Sequence, residues 1–179
     1  TPTSTPTSTP ISTPHTTPIT PPSPKCDFVT ITQGGWHATC HGNNPGCYLK
    51  NHFDNCFNNV VYLGQTIAGC HNIKLTSYQA VQNFLPHGGP NSPLTQNYVN
   101  STDLKLGGVV AGQLLAAKLN TEFDECDPNF SNCETHSEDL CFSGGACNGL
   151  SVSTVISVTD YIFGNCQNKC DKGSACNLS

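Results

Sequence analysis

The apolar positions of this chain fall into short periodic runs, and almost all of them lie beyond residue 25. Residues 27–33 alternate Phe28, Thr30 and Thr32 against Val29 and Ile31, a period of two that predicts a strand. Gly34-Gly35-Trp36 breaks it, and residues 37–47, HATCHGNNPGC, read as a turn-rich loop closed by Cys40 and Cys47. Residues 46–57 carry Leu49, Phe53 and Phe57 at helical spacing. Residues 60–67 predict a strand or hairpin arm broken by Gly64, and residues 70–75 a second strand. Thr76 or Ser77 can cap a short helix that runs to about Leu85 with Tyr78, Val81 and Leu85 inward. Residues 86–90, PHGGP, end it, and residues 91–102 read as a polar loop.

The longest stripe is Leu106, Val109, Val110, Leu114, Ala117 and Leu119, near a period of 3.6, and predicts the strongest helix from Thr102 or Asp103 onward. Gly107, Gly108 and Gly112 would weaken that helix by about 1 kcal/mol each, so a close approach of another backbone is the expected reason for them. A last apolar segment, residues 150–163, carries Val152, Val155, Ile156, Tyr161 and Ile162 and reads as a helix capped by Ser151 or Ser153. The whole predicts a small α+β domain, stapled by disulfides and preceded by an extended polyproline-like N-terminal arm.

The arm, residues 1–25, has a different chemistry. Its first 24 residues contain thirteen Ser or Thr and eight Pro, with Pro2, Pro6, Pro10, Pro14, Pro18 and Pro22 at every fourth position. Ile11 and Ile19 are its only apolar side chains besides proline, so it has almost nothing to bury. Proline fixes φ and removes a donor, which closes helix and central strand to the segment. Polyproline II rises about 3.1 Å per residue, so the arm can reach roughly 75 Å. A Ser/Thr-rich stretch with Pro reads as an O-glycosylated stalk. The expected O-glycan acceptors are Thr1, Thr3, Ser4, Thr5, Thr7, Ser8, Thr9, Ser12, Thr13, Thr16, Thr17, Thr20 and Ser23. All the period-four prolines are even-numbered, so in an extended chain the odd edge keeps its backbone donors. Such a strand can pair on one side, so β-augmentation of a neighbouring copy, with Ile11 and Ile19 as arm contacts, stands as one expected use beside another arm-to-neighbour contact and a solvated polyproline spacer.

Residues 26–179 form the expected cysteine-rich globular domain, with residues 122–148 as an acidic, cysteine-rich insertion bearing Glu122, Asp124, Glu125, Asp127, Glu134, Glu138 and Asp139. The formal net charge is −5, with seven Lys and no Arg, which offers no basic face to nucleic acid. No apolar run approaches the length of a membrane span. The twelve cysteines, Cys26, Cys40, Cys47, Cys56, Cys70, Cys126, Cys133, Cys141, Cys147, Cys166, Cys170 and Cys176, predict an extracellular or cell-surface protein with six disulfides and no free thiol. About ten thousand pairings are possible, so connectivity stays open. The absence of Met predicts a mature chain after removal of a signal peptide. Three sequons, at Asn100, Asn129 and Asn177, are the expected N-glycosylation sites.

Residues 32–46, TQGGWHATCHGNNPG, resemble a domain of secreted bacterial surface proteins with a TQGGW strand end and a GNNPG loop. The resemblance continues through residues 76–89, 107–123 and 142–166, and is interrupted near 124–141. The family is generally poor in cysteine, so the twelve here are a departure that implies a stapled variant. It implies no catalytic residues. With the Thr/Pro arm, the chain also resembles subunits of glycosylated extracellular fibrils from fresh water.

Other candidate chemistry is weighed against plainer roles. His37, Cys40, His41 and His52 have partial zinc-ligand spacing, but a cysteine in this setting is expected in a disulfide. The acidic run from Glu122 to Asp127 could hold calcium, although it lacks the alternating loop pattern, and a solvated acidic loop is the plainer reading. No G-x-S-x-G elbow or ordered carboxylate pair is present, so no enzyme activity and no cofactor are expected. Trp36 is expected in the core; if it instead stacked on a sugar, a secreted carbohydrate-binding or adhesion module would be the alternative function. The expected function is a structural subunit of a glycosylated extracellular fibril or appendage, with itself and its glycans as partners.

Overall fold

The computed structural model describes residues 27–166. The elements run α1 (Gln33–His37), α2 (Pro45–Phe57), β1 (Val61–Gly64), β2 (Asn72–Leu75), α3 (Tyr78–Phe84), β3 (Tyr98–Val99), α4 (Val109–Cys126), a 3-10 turn (Ser137–Asp139) and α5 (Val152–Phe163). The α+β class is therefore as expected from the sequence. β2 lies between β1, antiparallel to it in the register Val61↔Leu75, and β3, parallel to it with Ile73 opposite Tyr98.

Local sequence accounts for most helix starts. Asn44 caps α2 through a bond from the Cys47 N–H, and Pro45 opens it where no amide donor is needed. Ser77 caps α3 by accepting from Ala80 N–H, and Ser151 caps α5 by accepting from Thr154 N–H. In α2, Leu49, Phe53 and Phe57 all face the core, as their spacing requires. α5 forms despite its β-branched residues because its apolar face buries Phe163 and packs Ile156 on the core.

Five expectations are corrected. Residues 27–32 form no strand: the backbone of Ile31 is satisfied by the Asn120 side chain, which accepts from its N–H and donates to its carbonyl at 3.0 Å each. Thr32 then caps α1, so Gly34, Gly35 and Trp36 are helical rather than breakers. The polar loop 91–102 contributes β3, whose pairing is supplied by β2 rather than by any apolar run of its own. The strongest helix starts at Val109, not at Thr102 or Asp103, because Gly107 and Gly108 adopt positive φ of 78° and 71°. A Cβ on Gly108 would lie 2.1 Å from the carbonyl oxygen of Pro90, so the close approach expected there is real but precedes the helix. Finally, residues 122–126 belong to the last turns of α4 and not to an irregular insertion.

The core gathers on one face of the sheet, where Val61, Leu63, Ile73 and Leu75 meet Phe53, Phe57, Leu115, Leu119 and Phe123. Trp36 has no exposed surface, and its ring lies 5.3 Å from Phe123 and 6.3 Å from Phe130. Three disulfides join pairs of described residues: Cys40–Cys47 across the GNNPG loop, Cys56–Cys126 between α2 and α4, and Cys70–Cys166 between the β1–β2 turn and the end of α5. Cys133 is also disulfide-bonded. Cys141 and Cys147 are free thiols, contrary to the expectation of complete pairing. They sit in a loop already closed by its backbone, where Phe142 N–H donates to the Leu150 carbonyl and Gly149 N–H to that of Phe142. Alkylation of the native protein without reduction, followed by peptide mapping, is expected to label Cys141 and Cys147 and to leave Cys40, Cys47, Cys56, Cys70, Cys126 and Cys166 unmodified. Absence of label at both would show that they pair in the folded protein.

Candidate functional site

Two stretches of surface carry chemistry that the fold itself builds: the open edge of β1 with the cleft beside it, and the sequon-bearing loops. The β1 edge follows from backbone alternation. Gln65 N–H donates to the His71 carbonyl at 3.1 Å, in register with the β1–β2 ladder. Residues 61, 63 and 65 therefore bond toward β2, and the N–H and C=O groups of Tyr62 and Gly64 point to the open side. On β2 the alternation agrees, since the Lys74 carbonyl turns to β3 and accepts from Asn100 N–H at 2.8 Å. Asp160 of α5 takes the outward Gly64 N–H at 2.8 Å. Among the described residues nothing pairs with the outward N–H and C=O of Tyr62.

That edge borders a cleft of about 390 Å³. Phe57, Val60, Val61 and Tyr62 line it from the α2–β1 side, Lys118, Thr121 and Glu122 from α4, Glu138 from the 3-10 turn, and Ser153, Ile156 and Ser157 from α5. Lys118 is ion-paired to the buried carboxylate of Asp160. Burial raises the Glu122 carboxyl above the usual carboxylate range, helped by repulsion from Glu125 and Glu138. Burial, with repulsion from Glu125 and Asp139, does the same to Glu138. The cleft thus favours neutral hydrogen-bond donors over further anions. A second cleft of about 490 Å³, lined by Pro93, Val110, Ile162 and Phe163 among others, is largely apolar.

The acidic run is used internally. Burial pushes Asp124 up, but bonds from the Ser131 hydroxyl and from Ser137 outweigh it and hold the carboxyl low. The Tyr48 hydroxyl donates to Asp127 at 2.6 Å, and with the Asn129 N–H it holds Asp127 below the usual range. Burial first, and then Asp127, raise the Tyr48 phenol. The carboxylates suggested for calcium at 124 and 127 are thus each engaged by several protein donors, and no metal-holding group of side chains occurs among the described residues. Of the suggested zinc set, Cys40 is in a disulfide, His37 donates to the Gln82 carbonyl at 2.9 Å, and His52 stacks on Tyr48 with centroids 4.2 Å apart. The fold does not bring them together.

Asn100 and Asn129 are both exposed. Asn100 holds Thr76, accepting from its N–H at 2.9 Å, and donates from Nδ2 to its hydroxyl at 2.8 Å, which leaves one amide hydrogen for a glycan linkage. Asn129 Nδ2 donates to Asp127 at 3.0 Å, while the neighbouring Phe130 is buried. Asn177, Cys26, Cys170, Cys176 and every expected O-glycan acceptor of the arm, with Ile11 and Ile19, lie outside the described residues. The β1 edge and its cleft were not legible in advance, because their lining comes from four separate stretches. The one sequence signal was Asp160, a single acid in an otherwise uncharged helix.

No protein family matches the chain, and neither does any curated protein or solved structure. Among the described residues no helix is long and apolar enough to cross a membrane.

Proposed function

We propose that this chain is a structural subunit of a glycosylated extracellular fibril or surface appendage, and that copies join head-to-tail through the N-terminal arm. The observation that carries the reading is the arm itself: thirteen Ser or Thr and eight Pro in 24 residues, in a four-residue repeat, on a disulfide-closed domain. A segment of that composition cannot bury a core, and its hydroxyls suit dense O-glycosylation. The disulfides fit an oxidising compartment. Exposed Asn100 and Asn129 are available to N-glycans. A contact between an arm and a different surface of the next copy is heterologous, and such contacts generate open filaments unless the rotation closes.

The alternative of a carbohydrate-binding module lost its main support when Trp36 proved fully buried, since a ring with no exposed face cannot stack on a sugar. The test of the fibril reading is deletion of residues 1–24 in the secreting host. Full-length protein is expected to form filaments in negative stain and to exceed its polypeptide mass of 19.0 kDa, whereas the deleted form stays as separate particles. Unchanged fibrils from the deleted form would overturn the role of the arm, and an intact mass of the bare polypeptide would overturn glycosylation.

A further inference from the structure

The unpaired edge of β1 and the chemistry of the arm fit each other in direction as well as in composition. Among the described residues, one N–H and one C=O of Tyr62 have no partner beside the cleft. Its own side chain lies on the Lys74 face of the sheet, with the Lys74 ammonium 5.9 Å from its ring centroid. Val61 and Leu63 point to the opposite face, with Phe57 and the helices. A strand added antiparallel would put the residues that bond Tyr62 on Tyr62's own face. A strand added parallel reverses this: the residues flanking the one opposite Tyr62 make the bonds, and their side chains fall on the Val61 face, toward the cleft.

In the arm only odd-numbered residues retain donors throughout the proline repeat, and Ile11 is odd. Parallel addition therefore meets both conditions together. With Pro10 opposite Tyr62, the Thr9 carbonyl accepts the Tyr62 N–H, the Ile11 N–H donates to the Tyr62 carbonyl, and Pro10 turns its missing donor outward. The Ile11 side chain then enters the cleft between Val61 and Ile156. Ile19 fits less well, since the next odd residue is Pro21. Addition stops at Gly64, whose N–H is already held by Asp160.

We propose that residues 9–13 of the arm of a second copy add to the open edge of β1 as a parallel strand, with Ile11 filling the cleft. The proposal rests on the fibril reading and names the acceptor surface that reading requires. Ile11 is sixteen residues from Asp27, about 50 Å in polyproline II geometry, while a domain of this size is roughly 40 Å across. Pro21, Pro22 and Pro24 stiffen the base of the arm against doubling back onto its own domain.

The test is parity of proline substitution in the full-length glycosylated protein. Ile11→Pro with Thr13→Pro removes odd-edge donors; Ser8→Pro with Ser12→Pro removes even-edge donors that point away. The odd pair is expected to cut pelletable fibril at least tenfold, and the even pair to leave it within twofold. Equal behaviour of the two pairs overturns the proposal. If the deletion of residues 1–24 still abolishes fibrils, only the acceptor site falls and the fibril reading stands. Because both pairs lie in the arm, neither outcome depends on refolding of an altered domain. A photo-crosslinker at position 11, in fibrils grown from mixed light and ¹⁵N-labelled chains, is expected to give light–heavy crosslinks to peptides containing Tyr62 or Ile156. Crosslinks only within one isotope would assign the groove to the copy's own arm and overturn the second-copy occupant.

Discussion

Replacing Trp36 by alanine is expected to lower the unfolding free energy by about 3–5 kcal/mol, the range for truncating a buried aromatic. Trp36 is 0% exposed and sits among Tyr48, Phe123 and Phe130, so its removal empties space that four separate segments enclose. Collapse into that space is opposed on two sides. The Cys56–Cys126 disulfide ties α2 to α4, and Asn120 of α4 holds Ile31 just ahead of α1. Trp36→Phe should recover much of the loss, because among the described residues the indole Nε1 has no hydrogen-bond partner to forfeit. Urea unfolding followed by far-ultraviolet circular dichroism measures both. A loss under 1 kcal/mol for the alanine variant would mean that the ring is not part of the packed core.

Asp160→Ala is expected to cost about 3 kcal/mol, in the range for breaking a buried pair. The carboxylate is buried, accepts from Gly64 N–H at 2.8 Å and pairs with Lys118. Alanine leaves the Gly64 donor without its partner and frees the ammonium, which is 22% exposed in its side chain and can turn to water. Asp160→Asn should cost far less, since an amide oxygen still accepts from Gly64. The pH dependence separates charge from hydrogen bonding. Burial raises the Asp160 carboxyl above its usual range, against the pull of Lys118 and of the Gly64 bond. A carboxyl raised on folding binds protons more readily in the folded state, so its ionisation costs stability. That cost is absent below the ordinary carboxylate range, grows as pH rises through it, and is complete above the raised value. The Asn variant carries no such cost, so relative to wild type it should fare better at neutral pH than at pH 3. A difference independent of pH would show that ionisation of Asp160 does not contribute.

The Asp160 substitutions bear on the β1 edge. Asp160 marks where strand addition must stop, and a weakened α5–β1 contact should loosen one wall of the cleft. Stability and fibril yield therefore belong together in any assay of Asp160 variants, with the arm substitutions as the set that leaves the domain untouched.

Part of the fold was legible because the responsible physics is local. Leu49, Phe53 and Phe57 recur at helical spacing and do line the core face of α2; Ser77 and Ser151 cap the helices that follow them. Cys40 and Cys47 are close in sequence around a GNNPG turn and are joined. The misreadings share one cause. Residues 27–33 alternate as a strand would, but alternation records only which side is buried, and the backbone partner proved to be the Asn120 side chain, far away in sequence. β3 has no apolar run to announce it and exists because β2 offers an edge. The glycines at 107 and 108 announced a close approach but not the positive φ that delays α4 to Val109.

The sequence by itself determined the character of the arm, since proline geometry and the lack of apolar side chains act residue by residue. It also determined the α+β class and the parity by which the period-four prolines interrupt only the even edge of the arm. Tertiary structure alone decided which cysteines meet, which backbone groups of β1 have no partner among the described residues, and where a cleft opens beside them. The cleft needs Val61, Lys118, Glu138 and Ile156 around one space, residues far apart in sequence that only the folded chain gathers.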